Sequence, residues 1–265
     1  MSAQPDTESL LLTADRDGVL TVTLNRPRAG NALSLAMLHA LQAVWERTAA
    51  DRSTRVVVLA GAGPVFCAGH DLRELAAHPR SPAFTRELIT TCNRMILAMT
   101  ALPQPVIARV HGVATAAGCQ LVAAADLAVA STEAKFATPG VNVGTWCATP
   151  MVALSRAVAR KHAMRFLLTG ALQDANTALR IGLVNEVVPA EQLDAAVNAL
   201  ADEIATKSPF VIGLGKNAFY RQLEFGLADA YEYAAEVAAR NCTAEDAAEG
   251  VAAFIEKRAP RWKGR

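Results

Sequence analysis

One pattern constrains the fold more than any other, and it occurs twice. A short, unbroken run of apolar and β-branched residues passes straight into a loop of small residues, and helix-forming sequence follows. The first copy is VVVLA running into GAGPVFCAGHDL, around residues 56–75; the second is PVIARV running into HGVATAAGCQLVAAA, around 106–125. A run without apolar/polar alternation has no face for water, so it describes a strand buried on both sides, as in parallel sheets whose crossovers are helices. The recurrence predicts an α/β fold wound as strand, loop and helix, with its loops gathered at one end. A chain of 265 residues, 52% hydrophobic and 19% charged, can fill such a core as one unit and is not generally disordered.

Other elements follow from local signals. Residues Ser9 to Leu24 place two β-branched runs around Arg16-Asp17-Gly18, the pattern of a hairpin. Ser34 can cap a helix through Ala49, along which Leu38, Leu41, Val44 and Trp45 recur at helical spacing. A second helix runs from about Phe84 to Ala101 and stops at Pro103 and Pro105; further strands fall at DLAVAS and near LVNEVV. From Ala190 onward the sequence is Ala-rich helix. This divides the chain, without a linker, into a core of residues 1–189 and a helical subregion of 190–265 suited to oligomer contacts.

Charge and cysteine usage exclude several classes. With 26 basic and 25 acidic residues the net charge is +1, which leaves no global field for nucleic acid or an anionic membrane. Cys67, Cys92, Cys119, Cys147 and Cys242 are scattered, odd in number and without metal-ligand spacing, so neither a disulfide framework nor a zinc site is expected. The N-terminal stretch MSAQPDTESLLLTADRDG carries acids, and Leu10 to Leu12 is far too short for a signal core or a membrane span. These features read as a soluble protein of a reducing compartment, taken as cytoplasmic. Gly61-Ala62-Gly63 resembles the start of a dinucleotide-binding turn, but the third glycine position is Phe66 and Pro64 stands where the helix would open. A turn leaving a strand is the better description.

Two loops bear on function: Phe66-Cys67-Ala68-Gly69-His70-Asp71-Leu72, and His111-Gly112 with Ala116-Ala117-Gly118-Cys119. Small residues let a ligand atom approach backbone N–H donors, and they equally allow close helix-to-strand packing. Both readings stand from pattern alone. The strings NRPRAGNALS, FCAGHDL, PVIARVHGVATAAGCQL, DLAVAS, FATPGVNVG, LLTGALQDANTALRIGLVNEVVP and AFIEKR, in this order over roughly residues 9–260, resemble the crotonase superfamily of enoyl-CoA hydratases and isomerases.

The resemblance implies an α/β spiral of ββα units, a homotrimer or homohexamer, and an acyl-CoA ligand of fatty acid metabolism. No cofactor is permanently bound; coenzyme A enters as part of the substrate. It implies an oxyanion hole formed by the backbone N–H groups of His70 and Ala117, and it places the two hydratase glutamates at Gln120 and Gly140, with a third carboxylate position at Ala148. None of the three is acidic here. An amide cannot take up a proton near neutral pH and glycine has no side chain, so ordinary two-glutamate hydration is not expected. Polar residues of the same cavity would be Gln120, Thr138, Asn142, Thr145, Trp146, Cys147 and the His70 ring, of which histidine alone titrates near neutrality. Trp146 is expected to wall the acyl pocket or pack in the core, Cys67, Cys119 and Cys147 to pack, and His111 to be a satisfied structural residue. Coenzyme A contacts carried over by the resemblance are Arg28, Ala68, His70, Asp71, Leu72, Phe254 and Lys257, while Arg73 and Arg258 read as solvated charges. Two function classes remain: an acyl-CoA enzyme such as a decarboxylase, thioester hydrolase or selective lyase, and a catalytically silent acyl-CoA-binding protein.

Overall fold

The computed structural model describes residues 9–265. Residues 1–8 of the N-terminal stretch lie outside them. Strands β1 (Leu11–Arg16) and β2 (Val19–Leu24) form the expected hairpin. Its turn has Asp17 at φ 54° and Gly18 at φ 82°, the two positive values of a turn whose twist matches that of the strands. Helix α1 (Leu35–Ala50) begins at Ser34, whose Oγ accepts from Met37 N at 3.3 Å.

Strands then come in pairs: β3 (Val56–Gly61) with β4 (Val65–Cys67), β5 (Val106–Val110) with β6 (Val113–Thr115), and β7 (Leu127–Ser131) with β8 (Lys135–Ala137). Helices α2 (Leu72–Ala77) and α3 (Pro82–Ala101) follow the first pair, and α4 (Ala117–Ala124) the second. The third is followed by α5 (Ala148–Ala157), α6 (Arg160–Thr169), β9 (Gln173–Asp174), α7 (Ala175–Arg180) and β10 (Glu186–Val188). The first strand of each pair enters a sheet ordered β1-β2-β3-β5-β7-β10, and the second enters a smaller one ordered β4-β6-β8-β9. Each turn of chain thus adds one strand to both sheets, which is the α/β spiral of ββα units. Pairings are parallel except at β1–β2 and β8–β9. The smaller sheet falls within segments whose sequence reads as loop, because strands of three residues carry no periodicity. After β3 the chain enters β4 and not a helix, so no dinucleotide-binding turn forms.

The central strands β3, β5 and β7 of the large sheet are buried on both faces, as their sequence demands. Val57 and Leu59 pack with Leu38, Leu41 and Trp45 of α1 and with Met95 and Met99 of α3. Val56, Val58, Ile107 and Val129 meet Leu193, Val197 and Ala201 of α8 (Leu193–Ala205). Helix α8 closes that face, and α9 (Pro209–Gln222), α10 (Leu227–Cys242) and α11 (Glu245–Glu256) extend beyond it.

A buried polar cluster fastens α9 to the spiral. Lys216 Nζ lies 2.7 Å from Asp126 Oδ2 and donates to Gln104 O at 2.9 Å. Tyr220 OH donates to Asp126 Oδ1 at 2.8 Å, and Val106 N to Asp126 Oδ2 at 2.7 Å. Burial pulls the Lys216 pKa down against the pull of Asp126, which keeps the ammonium paired. Removing one partner of such a pair leaves a buried charge uncompensated, so Lys216→Ala should lose about 3–5 kcal/mol in urea unfolding. Arg16→Ala, which breaks an exposed pair with Asp202, should unfold close to wild type. Equal midpoints for the two variants would contradict this account.

Candidate active site

The loop after β2 is organised by one buried residue. Asn31 sits at φ 54°; its Oδ1 accepts from Arg26 N at 2.9 Å, and its Nδ2 donates to Ala62 O at 2.8 Å and Val65 O at 2.7 Å. Its carbonyl accepts from Cys67 Sγ at 3.3 Å. Alongside it, Ala68 N donates to Gly30 O at 2.9 Å and Leu33 N to Gly69 O at 2.7 Å, while Asp71 N reaches Leu33 O at 3.2 Å. Leu33 and His70 form an isolated parallel bridge. In such a bridge the residues on either side of His70 make the bonds, so the N–H of His70 itself faces the opposite way, and it has no backbone acceptor among the described residues.

The start of α4 stands against this loop. Gly69 has φ +96°, and a Cβ there would lie 2.8 Å from Ala116 Cβ and 3.2 Å from Ala117 N. Only glycine combines that φ with that approach. Ala116 itself holds φ 50° and ψ −118°, a strained conformation for a side-chain-bearing residue, and its N–H is spent on Ala137 O at 2.9 Å. Ala117 is the first residue of the helix, where an N–H has no intrahelical partner. The fold therefore sets the backbone of Gly69 against Ala117 N, and neither His70 N nor Ala117 N has a backbone acceptor among the described residues.

Gln120 follows one turn along α4 and is 4% exposed. Its Oε1 accepts from Thr149 Oγ1 at 3.2 Å, in the first turn of α5. Gly140 lies in a short 3-10 turn, Pro139–Val143, with a φ open to any residue. What constrains it is space: a Cβ would lie 3.0 Å from Cys147 Sγ and 3.0 Å from Thr145 O. The two positions meet through Cys147 and Thr149, and neither carries a carboxylate. Thr138 is buried with its Oγ1 unpartnered. Trp146 is 42% exposed, which corrects a core role for it. Asn142 Nδ2 bonds Gly170 O at 3.4 Å, and Thr145 Oγ1 bonds Gly140 O at 3.3 Å.

Burial pushes the thiols of Cys67 and Cys119 up to about 12 and raises that of Cys147, so all three are packing groups at neutral pH. Both ring nitrogens of His70 are buried without a hydrogen-bond partner, and burial holds its pKa below the ordinary histidine value, with the Leu33 backbone opposing weakly. His111 Nε2 meets Gly63 O at 2.7 Å, while its Nδ1 is buried and unpartnered, so it is satisfied at one nitrogen only.

The positions assigned to coenzyme A divide. Ala68 and Leu72 are exposed at the loop mouth, and Leu72 opens α2. Asp71 is buried: it pairs with Arg26 Nη2 at 3.0 Å and caps α2 through Arg73 N at 3.0 Å, which holds the loop. Arg28, Phe254 and Lys257 are exposed, and no hydrogen bond or ion pair among the described residues joins them to residues 66–72. Arg258 is held by Glu249 at 2.6 and 3.0 Å and is not a free cation. Two grooves of about 250 and 260 Å³, over the outer sheet face at Arg109 and Asp194 and between α9 and α10, lie away from all of these residues. Sequence reasoning missed Asn31, the Arg26–Asp71 pair and Thr149. Asn31 after Gly30 carries a turn signal, but nothing marks the other two.

Two sheets wound together by ββα turns, with small-residue loops at the strand ends, define the crotonase class. The chain belongs to the enoyl-CoA hydratase/isomerase family, whose pattern matches residues 14–265. It is similar to the enoyl-CoA hydratase domain-containing protein 3, mitochondrial, of Rattus norvegicus, at 45% identity over 98% of this chain and 87% of that protein. The crystal structure of the human enoyl-CoA hydratase domain-containing protein 3 superposes with a TM-score of 0.92 at 42% identity, covering 96% of this chain and 100% of that one. An enoyl-CoA hydratase from Mycobacterium smegmatis gives 0.94 at 51% identity, covering 96% and 99%. The resemblance to the crotonase superfamily is thereby borne out.

The cytoplasmic expectation is corrected: the relatives from rat, mouse, Xenopus laevis and human are named mitochondrial. Unpaired cysteines indicate a reducing environment and do not separate one such compartment from another. Among the described residues, no helix is long and apolar enough to cross a membrane, and no group of three or more His, Cys, Asp and Glu could hold a metal.

The buried histidines set a pH dependence. Burial lowers the pKa of both His70 and His111, so the unfolded chain binds more protons below the ordinary value of about 6.5. Their contribution is intact above that pH and is lost as pH falls toward the depressed folded values. The melting temperature should drop between about pH 7.5 and pH 5.5, and His70→Gln should drop less. An equal drop in the variant would contradict the assignment to His70.

Proposed function

We propose that this chain is an acyl-CoA enzyme whose central device is a main-chain oxyanion hole, with His70 N and Ala117 N donating to the thioester oxygen. What supports this reading is that the backbone of Gly69 lies against Ala117 N, with neither N–H given a backbone acceptor among the described residues. A thioester carbonyl gains negative charge when an enolate or tetrahedral intermediate forms, and donors fixed in advance stabilise that charge without reorganisation. Losing one such donor costs roughly 2.7–4 kcal/mol in comparable sites. As the donors are backbone atoms, the identities of His70 and Ala117 are free to vary.

The acyl-CoA is held at Arg28, Ala68, His70 and Leu72, with Phe254 and Lys257 serving a neighbouring subunit of a homotrimer or homohexamer. In support, Phe219, Leu223, Leu227, Tyr231, Val251, Phe254 and Ile255 are between 58% and 86% exposed on the C-terminal helices of a single chain. An apolar surface of this kind marks an interface. The subregion 190–265 is then the assembly element on the 1–189 core. Coenzyme A arrives with the substrate, and the chain needs no resident cofactor. Thioester hydrolysis and silent binding find no specific support: the first needs an activated water, and uncommitted donors over a thioester site are more than binding requires.

Hydration of an enoyl-CoA needs acid–base groups worth ~10²–10⁴-fold each, and Gln120, Gly140 and Ala148 supply none. Wild-type protein should therefore hydrate crotonyl-CoA negligibly. Gln120→Glu with Gly140→Glu should gain little, since the new side chain meets Cys147 Sγ. Adding Cys147→Gly removes the thiol but leaves Thr145 O at 3.0 Å, so any gain should stay small, and placement errors cost a further ~10²-fold. Rates are followed by loss of enoyl absorbance. Efficient hydration by wild type would contradict the reading and make His70 the first suspect as its acid–base group.

A further inference from the structure

The position of the first family glutamate is occupied by an amide held in one orientation. Gln120 Oε1 is taken by Thr149 Oγ1 at 3.2 Å, and no acceptor among the described residues takes Nε2. Thr149 lies two residues past Cys147, whose thiol abuts Gly140. Thr138 Oγ1 is a second buried hydroxyl without a partner, in a residue 1% exposed. Its neighbour Ala137 receives the N–H of Ala116, which puts Thr138 beside the entry to α4. The acids around these loops are committed elsewhere: Asp71 to Arg26, and Glu74 Oε2 to Leu35 N at 3.0 Å. Buried neutral donors with no free carboxylate beside them suit a ligand that brings its own negative charge, since glutamates here would repel it.

Resting on the reading of His70 N and Ala117 N as thioester-oxygen donors, we infer that the substrate is a 2-carboxyacyl thioester of the malonyl type, that Gln120 Nε2 and Thr138 Oγ1 bind its carboxylate, and that the reaction is decarboxylation. The bond from C2 to the carboxylate carbon breaks. Its electron pair becomes the C1–C2 double bond of an enolate whose charge rests on the thioester oxygen between the two N–H groups, and CO₂ leaves. C2 then takes a proton from water, and the hydroxide formed combines with CO₂ as bicarbonate. No base removes an α-proton, so the missing carboxylates are not needed. Thr149 is a positioning residue acting through Gln120. The same neutral set gives no carboxylate to activate water for thioester hydrolysis, and the His70 ring, its pKa lowered by burial, has no side-chain partner to orient it among the described residues.

The full chain is incubated with malonyl-CoA and methylmalonyl-CoA, products are separated by chromatography, and binding of malonyl-CoA and acetyl-CoA is measured by calorimetry. Wild type should yield acetyl-CoA and propionyl-CoA. Gln120→Glu, nearly isosteric, should lower turnover by ~10²-fold or more and weaken malonyl-CoA by about tenfold relative to acetyl-CoA. Thr149→Val should raise the KM for malonyl-CoA, and Thr149→Ser should restore it, which a loss of packing alone would not do. The serine/valine comparison also carries the test if Gln120→Glu fails to fold. Wild type that binds both thioesters and forms neither product overturns decarboxylation and leaves the oxyanion reading standing; binding of neither thioester overturns both.

Discussion

Between the end of β4 and the start of α4 there is no room for a side chain, and the arrangement of the site follows from that. A Cβ on Gly118 would collide with the carbonyl of Cys67, and one on Gly69 would collide with Ala116. Helix α4 therefore rests its first turn directly on the backbone of the first loop. The approach sets Ala117 N, left over by the geometry of a helix start, against the loop that carries His70, whose own N–H is left over by the geometry of a parallel bridge. Neither N–H belongs to a side chain.

How far this could be read from sequence depended on the length of each element. Runs such as VVVLA and PVIARV announce strands buried on both faces, and the large sheet is built from them. The smaller sheet is made of strands of three residues or fewer apart from its partners' register, and its members read as loop. The two small-residue loops left packing and ligand approach equally open. The packing is now visible at Gly118 and Cys67, and it is what leaves the N–H groups free. Loss of the carboxylates at Gln120 and Gly140 was legible residue by residue. The crowding of Gly140 by Cys147 was not, because it depends on the path of the turn at residues 144–147. Asp71, placed by resemblance at the coenzyme A site, also pairs with Arg26, a contact between distant segments that no local pattern marks.

The chemistry left to such a site is narrow. Gln120 is uncharged, Gly140 is bare, the buried thiols are protonated, and burial keeps His70 neutral. On the proposed reading the remaining resource is a pair of fixed dipoles at a thioester oxygen, which favours reactions whose charge develops there without prior proton abstraction. Fastening of the C-terminal helices through Lys216 and Asp126 serves the same end at longer range, since it fixes the apolar face that a neighbouring subunit would cover.

The central claim is that two backbone N–H groups meet one thioester oxygen, and the carbonyl stretch of a bound acyl-CoA reports on it directly. Infrared difference spectra with ¹³C-labelled and unlabelled acetyl-CoA isolate that band. Donation by His70 N and Ala117 N predicts a clear shift to lower frequency relative to acetyl-CoA in water, retained when the His70 side chain is replaced by alanine. A bound thioester whose carbonyl band stays at its solution frequency would contradict the account.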